Sequence, residues 1–359
     1  MRELEALLQA PPYGMKREEK AAFYTAYLSE LTAHHRARCA PYGKLLDALG
    51  CGAAFSTPAE LPFLPVSAFK ALELKSVPEA EVYRVLTSSA TTGQRPSRIV
   101  LDEGTSRAQQ RALVHIVSDL LGPRRMPMLA LDTKNVLRDR TAFSARGAGI
   151  LGFSIFSSEI TYALDGTMAL DTAAVTAFAE THGDGPVLLF GFTYMVWAHF
   201  LAALKTAGLR LNLPGGVLIH GGGWKRLTAQ AVSPEVFRGA VEEWTGVATV
   251  RDYYGMAEQT GSVFLECERG RLHASVWSDV LIRRPGDYGL CGVGEPGVIQ
   301  VLSPLPESYP GHSLLTEDLG VLLGEDDCPC GRKGKYFKVL GRIPSAEVRG
   351  CGDTYGGGS

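Results

Sequence analysis

Residues 86–98, which read LTSSATTGQRPSR, are the stretch that decides the fold. Five hydroxyl side chains precede one glycine, and a proline and two arginines lie in the second half. Small hydroxyl residues allow a tight turn and offer N–H and O–H donors that suit the oxygens of a polyphosphate. An ordinary Ser/Thr-rich surface turn has the same composition, so this stretch alone leaves both interpretations open. Residues 82–86 predict a buried strand that leads into it.

Composition limits the class of protein. The chain has 359 residues, 45% hydrophobic and 21% charged, which is enough for a large core and more than one lobe. A net charge of −2 and the lack of a long basic run argue against a nucleic-acid partner. Without a long apolar segment or a signal-peptide pattern, we expect a cytoplasmic protein with no membrane partner. The seven cysteines suit free thiols, metal ligands or a nucleophile better than a disulfide framework.

The middle of the chain alternates between strands and helices, which predicts an α/β fold with helices on the faces of a sheet. The predicted strands are residues 126–131, 187–192, 216–220 and 248–253, and the predicted helices are residues 16–38, 105–121, 171–180, 194–207 and 234–245. From residue 276 onward, short strands dominate. We therefore expect four regions: a helical N-terminal region at 1–80, an α/β core at 81–275, a β-rich subdomain at 276–342 and a short tail at 343–359.

Two G-x-G-x-x-G matches do not predict a dinucleotide site. Residues 147–152 have no clear strand before them, and residues 292–297 lead into a strand, whereas the dinucleotide motif must open a helix.

Three further motifs carry candidate functional residues: residues 220–226 (HGGGWKR), residues 252–261 (DYYGMAEQTG) and residues 315–320 (LTEDLG). Taken singly, the first motif suits a simple turn, the second a strand end with a capping glutamate, and the third a surface loop. Glycines also let a flat ring approach the backbone closely, and Mg²⁺ prefers one or two carboxylates beside phosphate oxygens.

In this order, and together with Gly341-Arg342, the motifs resemble those of the acyl-adenylate-forming ligases. The surroundings of the first stretch resemble the acyl-protein synthetase (LuxE-like) branch, which is related to phenylacetate–CoA ligases. The resemblance covers nearly the whole chain. It departs from the family at Ala90 and Glu317, where glycine is usual, and at Ala257, where threonine is usual. It implies a large N-terminal adenylation domain with mixed sheets flanked by helices and a small β-rich subdomain. These ligases usually continue into a C-terminal lid domain, but only 17 residues follow Arg342, so we expect the lid to be absent.

The resemblance further implies ATP and Mg²⁺ as cofactors. Glu258 would hold Mg²⁺, Tyr254 would stack on adenine, and Asp318 with Arg342 would bind the ribose. The implied nucleotide-binding residues are Ser88, Ser89, Thr91, Thr92, Gly93, Gly222, Gly223, Trp224, Tyr254, Gly255, Glu258, Asp318 and Arg342. The implied catalytic residues are Glu258, Thr91, Thr92 and Cys351. The pocket for the acid is expected to draw on residues 190–194, Trp224 and the turn near Gly255.

Cys328 and Cys330 flank a proline and precede a glycine, which is typical of a knuckle that binds tetrahedral Zn²⁺. Cys267 and His273 are candidate partners, and the resulting Cys₃His set would be a structural site. Because the spacing is not that of a standard finger, reduced cysteines without metal remain an equal alternative.

We therefore expect an acyl-protein synthetase-like ligase. It would activate a fatty or aromatic carboxylic acid as an acyl-adenylate and pass the acyl group to a thiol. That thiol is Cys351, which lies between glycines near Arg349, or a carrier protein, or coenzyme A, and a partner enzyme could complete the site. Two alternatives stay open: an aryl or fatty acid–CoA ligase, and a non-catalytic nucleotide-binding subunit of a multienzyme complex. Ala90 and the expected lack of a lid favour the subunit, whereas Glu258, Asp318 and Arg342 oppose it.

Overall fold

The computed structural model describes residues 2–52, 54–87, 96–137, 145–224 and 229–343. Backbone contacts divide the chain into two compact units, Leu121–Tyr254 and Met1–Leu120 with Gly255–Ser359. We call the first the parallel unit and the second the antiparallel unit. This grouping differs from the four regions expected from the sequence, which stay a prediction about domains. No helix among the described residues is long and apolar enough to cross a membrane.

The parallel unit is a sheet with helices on both faces. Its strands are β4 (Met126–Thr133), β5 (Ser157–Leu164), β6 (Val187–Phe192), β7 (Gly216–Gly221) and β8 (Thr249–Tyr254). Every neighbouring pair is parallel, in the order β5-β4-β6-β7-β8. Its helices are α6 (Ala145–Phe153), α7 (Thr172–His182), α8 (Thr193–Met195), a π-helical segment (Val196–Leu201), α9 (Ala202–Ala207) and α10 (Pro234–Thr245).

Alternation along β6 explains the two layers, because successive strand residues point to opposite faces. Leu189 packs in a cluster with Phe178 of α7 and Phe237 of α10. Phe190 instead stacks on Phe153 of α6 with ring centroids 4.3 Å apart. Both faces of the strand are therefore buried, as the continuous apolar sequence predicts.

Local signals set the helix ends in this unit. The Ser233 side chain accepts a hydrogen bond from the Val236 N–H at the start of α10, and Pro234 occupies the first turn. The helix ends at Gly246, whose φ of 74° lies in the left-handed region that glycine tolerates. Asp171 caps α7 in the same manner.

The antiparallel unit contains α1 (Arg2–Leu7), α2 (Arg17–Arg38), α3 (Ala40–Ala48), α4 (Ala68–Ala71) and α5 (Glu103–Leu121). Its strands are β1 (Leu64–Pro65), β2 (Arg84–Thr87), β3 (Arg98–Leu101), β9 (Phe264–Glu266), β10 (Leu272–His273), β11 (Asp279–Arg283), β12 (Pro296–Leu302), β13 (Ser313–Glu325) and β14 (Lys335–Arg342). Strands β11-β12-β13-β14-β10-β9 pair antiparallel in that order, and β1 pairs parallel with β13.

The mixed α/β class predicted from the sequence is confirmed. Strand β6 and helix α10 have the predicted bounds, and after residue 260 the described residues contain no helix, which confirms the β-rich region. Residues 147–152 lie inside α6, so that glycine pattern does not form a strand-to-helix phosphate turn.

One prediction about burial was wrong. The strand at residues 82–86 exists as β2, but Val85 is 38% exposed. It pairs with β3 in a separate two-stranded sheet, so β2 is not a core strand of the main sheet.

Candidate active site

Glu258 lies in a short 3₁₀ turn (Ala257–Gln259) of the antiparallel unit, and its side chain is buried. Burial raises the pKa of its carboxyl group, and the nearby charge of Glu317 adds to this. The polar side chain of Ser97 and the positive charge of Lys70 act in the opposite direction. A buried carboxylate of this kind gains from a cation beside it.

Packing fixes the backbone of this turn. The Tyr309 hydroxyl donates to the Glu258 carbonyl at 2.9 Å and accepts from Gln109 Nε2 at 3.1 Å. Gln259 Nε2 donates to the Gly311 carbonyl at 2.8 Å. These hydrogen bonds hold the turn that carries the Glu258 carboxylate in one conformation. The sequence analysis missed Tyr309 and Gln109, since nothing near them in the chain marks them as neighbours of Glu258.

Asp318 and Arg342 are brought together as Cα partners on β13 and β14. Arg342 Nε lies 3.4 Å from Asp318 Oδ1, and its Nη2 lies 3.3 Å from Glu317 Oε2. The Thr316 hydroxyl donates to the Ile299 carbonyl at 2.8 Å and accepts from the Asp318 N–H at 3.1 Å. Both acidic residues of the T-E-D motif thus hold one guanidinium, which gives Glu317 a role in place of the usual glycine.

The glycine turn after β7 belongs to the parallel unit. Gly222 and Gly223 have φ values of 76° and 62°. A Cβ at Gly222 would lie 2.3 Å from Cδ1 of Phe192, whereas a Cβ at Gly223 would meet no atom of the described residues within 4 Å. The turn at Gly222 therefore needs glycine for both backbone conformation and space.

Trp224 packs edge-on against Trp197 and Phe237, with ring centroids 5.7 and 6.2 Å away. Before the turn, the Thr193 hydroxyl donates to the Gly221 carbonyl at 3.1 Å, and its oxygen lies 2.9 Å from Nδ1 of His220. Burial lowers the pKa of His220 to about 3, so its ring is neutral at pH 7. These contacts hold the turn rigid.

Tyr254 is the last residue of β8 and is partly buried, and Gly255 is exposed. Their predicted contacts with a nucleotide stay predictions. Ser88, Ser89, Thr91, Thr92 and Gly93, like Cys351, lie outside the described residues.

Phe190, one of the residues expected in the acid pocket, is fully buried and stacks on Phe153 and Tyr253. The pocket itself stays a prediction. Nearby, Arg146 and Asp132 form a two-point ion pair, with N···O distances of 2.8 and 2.6 Å, that the sequence analysis missed. Asp132 is 1% exposed. Burial of Arg146 lowers the pKa of its guanidinium, but the hydrogen bond and charge of Asp132 outweigh this and raise it.

The predicted metal ligands Cys267, His273, Cys328 and Cys330 come together in the antiparallel unit. One ligand atom from each lies within 4.8 Å of all the others. Cys330 Sγ lies 3.4 Å from His273 Nε2, and Arg271 donates to Cys328 Sγ at 3.6 Å. Burial opposes ionisation of Cys328, but hydrogen bonds from Cys330, Arg271 and Cys267 outweigh it and lower its pKa.

Comparison with known families decides the identity. The profile of the family described as "Acyl-protein synthetase, LuxE" matches residues 2–356. The chain belongs to the LuxE family of acyl-protein synthetases. Comparison with curated protein sequences gives no match.

Solved structures show the fold of this LuxE-family protein. One is 2-hydroxyisobutyryl-CoA ligase in the postadenylation state with 2-HIB-AMP, at TM-score 0.69 and 17% identity, covering 92% of this chain and 69% of that one. An open conformation of the same ligase with 2-HIB-AMP and CoA gives TM-score 0.66 and 17% identity, covering 93% and 77%. A long-chain-fatty-acid-CoA ligase from Archaeoglobus fulgidus gives TM-score 0.50 and 14% identity, covering 75% and 53%.

These structures share the fold of the adenylate-forming ligases, which confirms the predicted fold. Family and fold together identify the protein as an acyl-adenylate-forming, acid–thiol ligase.

Proposed function

We propose that the protein binds ATP, joins a carboxylic acid to its AMP part, and then passes the acyl group to a thiol. In the first step a carboxylate oxygen attacks the α-phosphorus, the bond to the bridging oxygen breaks, and pyrophosphate leaves. In the second step a thiolate sulfur attacks the acyl carbon, the bond to the phosphate oxygen breaks, and AMP leaves. The observation that carries the proposal is the prearranged pair of Asp318 and Arg342 in the same unit as the buried Glu258.

Asp318 is suited to the ribose because an ionised carboxylate accepts hydrogen bonds from two neighbouring hydroxyls. Arg342 lies against it and keeps an exposed fraction of 39% in its side chain, so its remaining N–H groups are free to reach a ligand. Glu317 holds the far side of the guanidinium, which limits its rotamers and reduces the entropy lost on binding.

Glu258 fits a divalent cation, since its carboxylate is buried and an adjacent positive charge would favour its ionised form. A bound Mg²⁺ would neutralise phosphate charge and orient the leaving pyrophosphate. The Tyr309–Gln109 chain of hydrogen bonds holds the backbone of Glu258 in place. In the parallel unit, the turn at Gly222 and Gly223 and the ring of Tyr254 are proposed to border the adenine, and Trp224 to support the turn from behind.

For the acceptor, we place Cys351 first, with carrier-protein and coenzyme A thiols as the other possible outcomes. The acid is a fatty or aromatic carboxylic acid in this proposal. Ser88, Ser89, Thr91, Thr92 and Gly93 are the proposed phosphate donors.

The test of adenylation is carboxylate-dependent exchange of pyrophosphate into ATP, with Mg²⁺ and a panel of fatty and aromatic acids. We expect exchange that requires both an acid and Mg²⁺. Folded protein that binds ATP and shows no exchange with any acid would instead support a non-catalytic nucleotide-binding subunit.

The acceptor is tested separately by mass spectrometry after incubation with ATP, Mg²⁺ and an active acid. We expect a hydroxylamine-labile acyl adduct that is lost in Cys351→Ser and kept in the control Cys291→Ser, while exchange continues in both. Exchange without an adduct at Cys351 would exclude it as the acceptor, and added coenzyme A or carrier protein would then show which thiol accepts.

A further inference from the structure

Two similar turns in the antiparallel unit bring their cysteines together. One begins at Cys267 and ends at Gly270, whose N–H donates to the Cys267 carbonyl at 3.0 Å. The other begins at Cys328 and ends at Gly331, whose N–H donates to the Cys328 carbonyl at 2.9 Å. Both glycines have positive φ, at 70° and 86°. Each turn therefore presents a thiol at its start in the same local geometry.

Two further candidate ligands, Cys330 and His273, lie close to the thiols of Cys267 and Cys328. Cys330 lies within the second turn, and His273 lies on β10 just after the first. The Arg269 N–H donates to Cys267 Sγ at 3.4 Å. The cluster thus combines three sulfur atoms and one imidazole nitrogen from two separate chain segments.

The spacing of these atoms suits tetrahedral coordination. Zinc bonds of about 2.3 Å to sulfur and about 2.0 Å to nitrogen imply tetrahedral edges of roughly 3.5 Å for S···N and roughly 3.8 Å for S···S. The observed Cys330 Sγ···His273 Nε2 distance is 3.4 Å, and all four ligand atoms lie within 4.8 Å of one another. Small side-chain rotations are enough to close the set around one ion.

The surroundings fit a closed site with a net negative charge. Cys267 and Cys328 are 2% and 4% exposed, and His273 is fully buried. Zn²⁺ with three thiolates carries one negative charge, and the guanidinium of Arg271 lies beside Cys328 to offset it. A set of three sulfurs and one imidazole selects a soft or borderline ion, whereas Mg²⁺ and Ca²⁺ prefer oxygen ligands.

We infer that Cys267, His273, Cys328 and Cys330 bind one structural Zn²⁺, and that this ion fixes the hairpin of β13 and β14. Cys328 and Cys330 lie in the connection between these strands, and Asp318 and Arg342 pair further along the same two strands. The hairpin has register shifts between Leu319 and Gly320 and between Leu322 and Gly324, so its ladder is irregular. His273 pairs with Tyr336 of β14, and the ion would therefore tie β10 to both strands of the hairpin.

Metal content is the direct test, and it does not depend on ligase activity. Protein purified without chelators should contain about one zinc per chain, and Co²⁺ substitution should give thiolate-to-cobalt absorption bands. Cys330→Ser should lose most of the zinc, whereas the control Cys291→Ser, at a cysteine outside the cluster, should keep it.

Two measurements on the unmodified chain cover the case in which Cys330→Ser does not fold. Chelation should expose additional thiols to a thiol reagent, and amide hydrogen exchange should rise in β13 and β14 while β6 stays protected. Folded protein that lacks zinc as purified and whose thiol reactivity is unchanged by added zinc would overturn the site. Zinc that is bound but leaves hairpin exchange unchanged on removal would overturn the link to β13 and β14.

Discussion

His312 offers a quantitative test of the packing between α2 and the β-rich region. Its ring is 1% exposed and stacks on His35, with centroids 5.1 Å apart. The Thr32 hydroxyl donates to the Leu28 carbonyl at 2.7 Å, so His312 Nε2, at 2.9 Å, must donate to the Thr32 oxygen. Nδ1 has no hydrogen-bond partner among the described residues. A second proton on this ring would therefore be buried without an acceptor.

The size of the effect follows from linkage between protonation and folding. Burial lowers the pKa of His312 in the folded protein to about 3, with His34 adding to the shift. In the unfolded chain the pKa is about 6.5, so the unfolded state takes up a proton first as the pH falls. Stability is full above about pH 6.5 and declines below it, and the contribution of His312 to that loss is about 2 kcal/mol at pH 5.

The assay is urea unfolding between pH 7.5 and pH 5, with His312→Gln as the comparison. The glutamine amide can still donate to Thr32 but does not titrate, so the variant should lose about 2 kcal/mol less than the parent protein on going to pH 5. Measurement of both proteins at pH 7.5, where both side chains are neutral, separates packing from titration. Equal pH slopes in the two proteins, or a smaller loss of stability in the parent than in the variant between pH 7.5 and pH 5, would refute the reasoning.

Three further predictions concern the candidate active site. Glu258→Gln should reduce pyrophosphate exchange about 100-fold or more with little loss of stability, because the amide keeps the shape but not the charge; near-normal exchange would contradict its assignment. Asp318→Ala should raise the KM for ATP about 10-fold or more and change the maximal exchange rate less, since a charge-assisted contact to the ribose is lost; an unchanged KM in ATP titrations would argue against ribose binding. Gly222→Ala should lower the free energy of unfolding by more than the control Gly223→Ala, because only the first substitution places a Cβ against the Phe192 ring. The control should lose about 1–2 kcal/mol from its left-handed backbone alone. Equal urea midpoints for the two variants would contradict this and show that the Phe192 ring moves aside.

Local patterns were enough to predict much of the fold. The strand at 187–192 and the helix at 234–245 were predicted correctly from the sequence, because apolar periodicity depends on residues a few positions apart. The order of the adenylation motifs led to the family, which the match over residues 2–356 confirms.

Tertiary structure decided which side chains meet. Tyr309 reaches the Glu258 carbonyl, and Arg146 pairs with Asp132, through long-range packing that no local pattern records. The sequence named four possible metal ligands but left metal-free cysteines equally open, and pairing of β10 with β14 brought the two segments together. Burial of Val85 was misjudged for the same reason: its apolar neighbours predict a strand, but only the pairing of that strand decides whether it is covered.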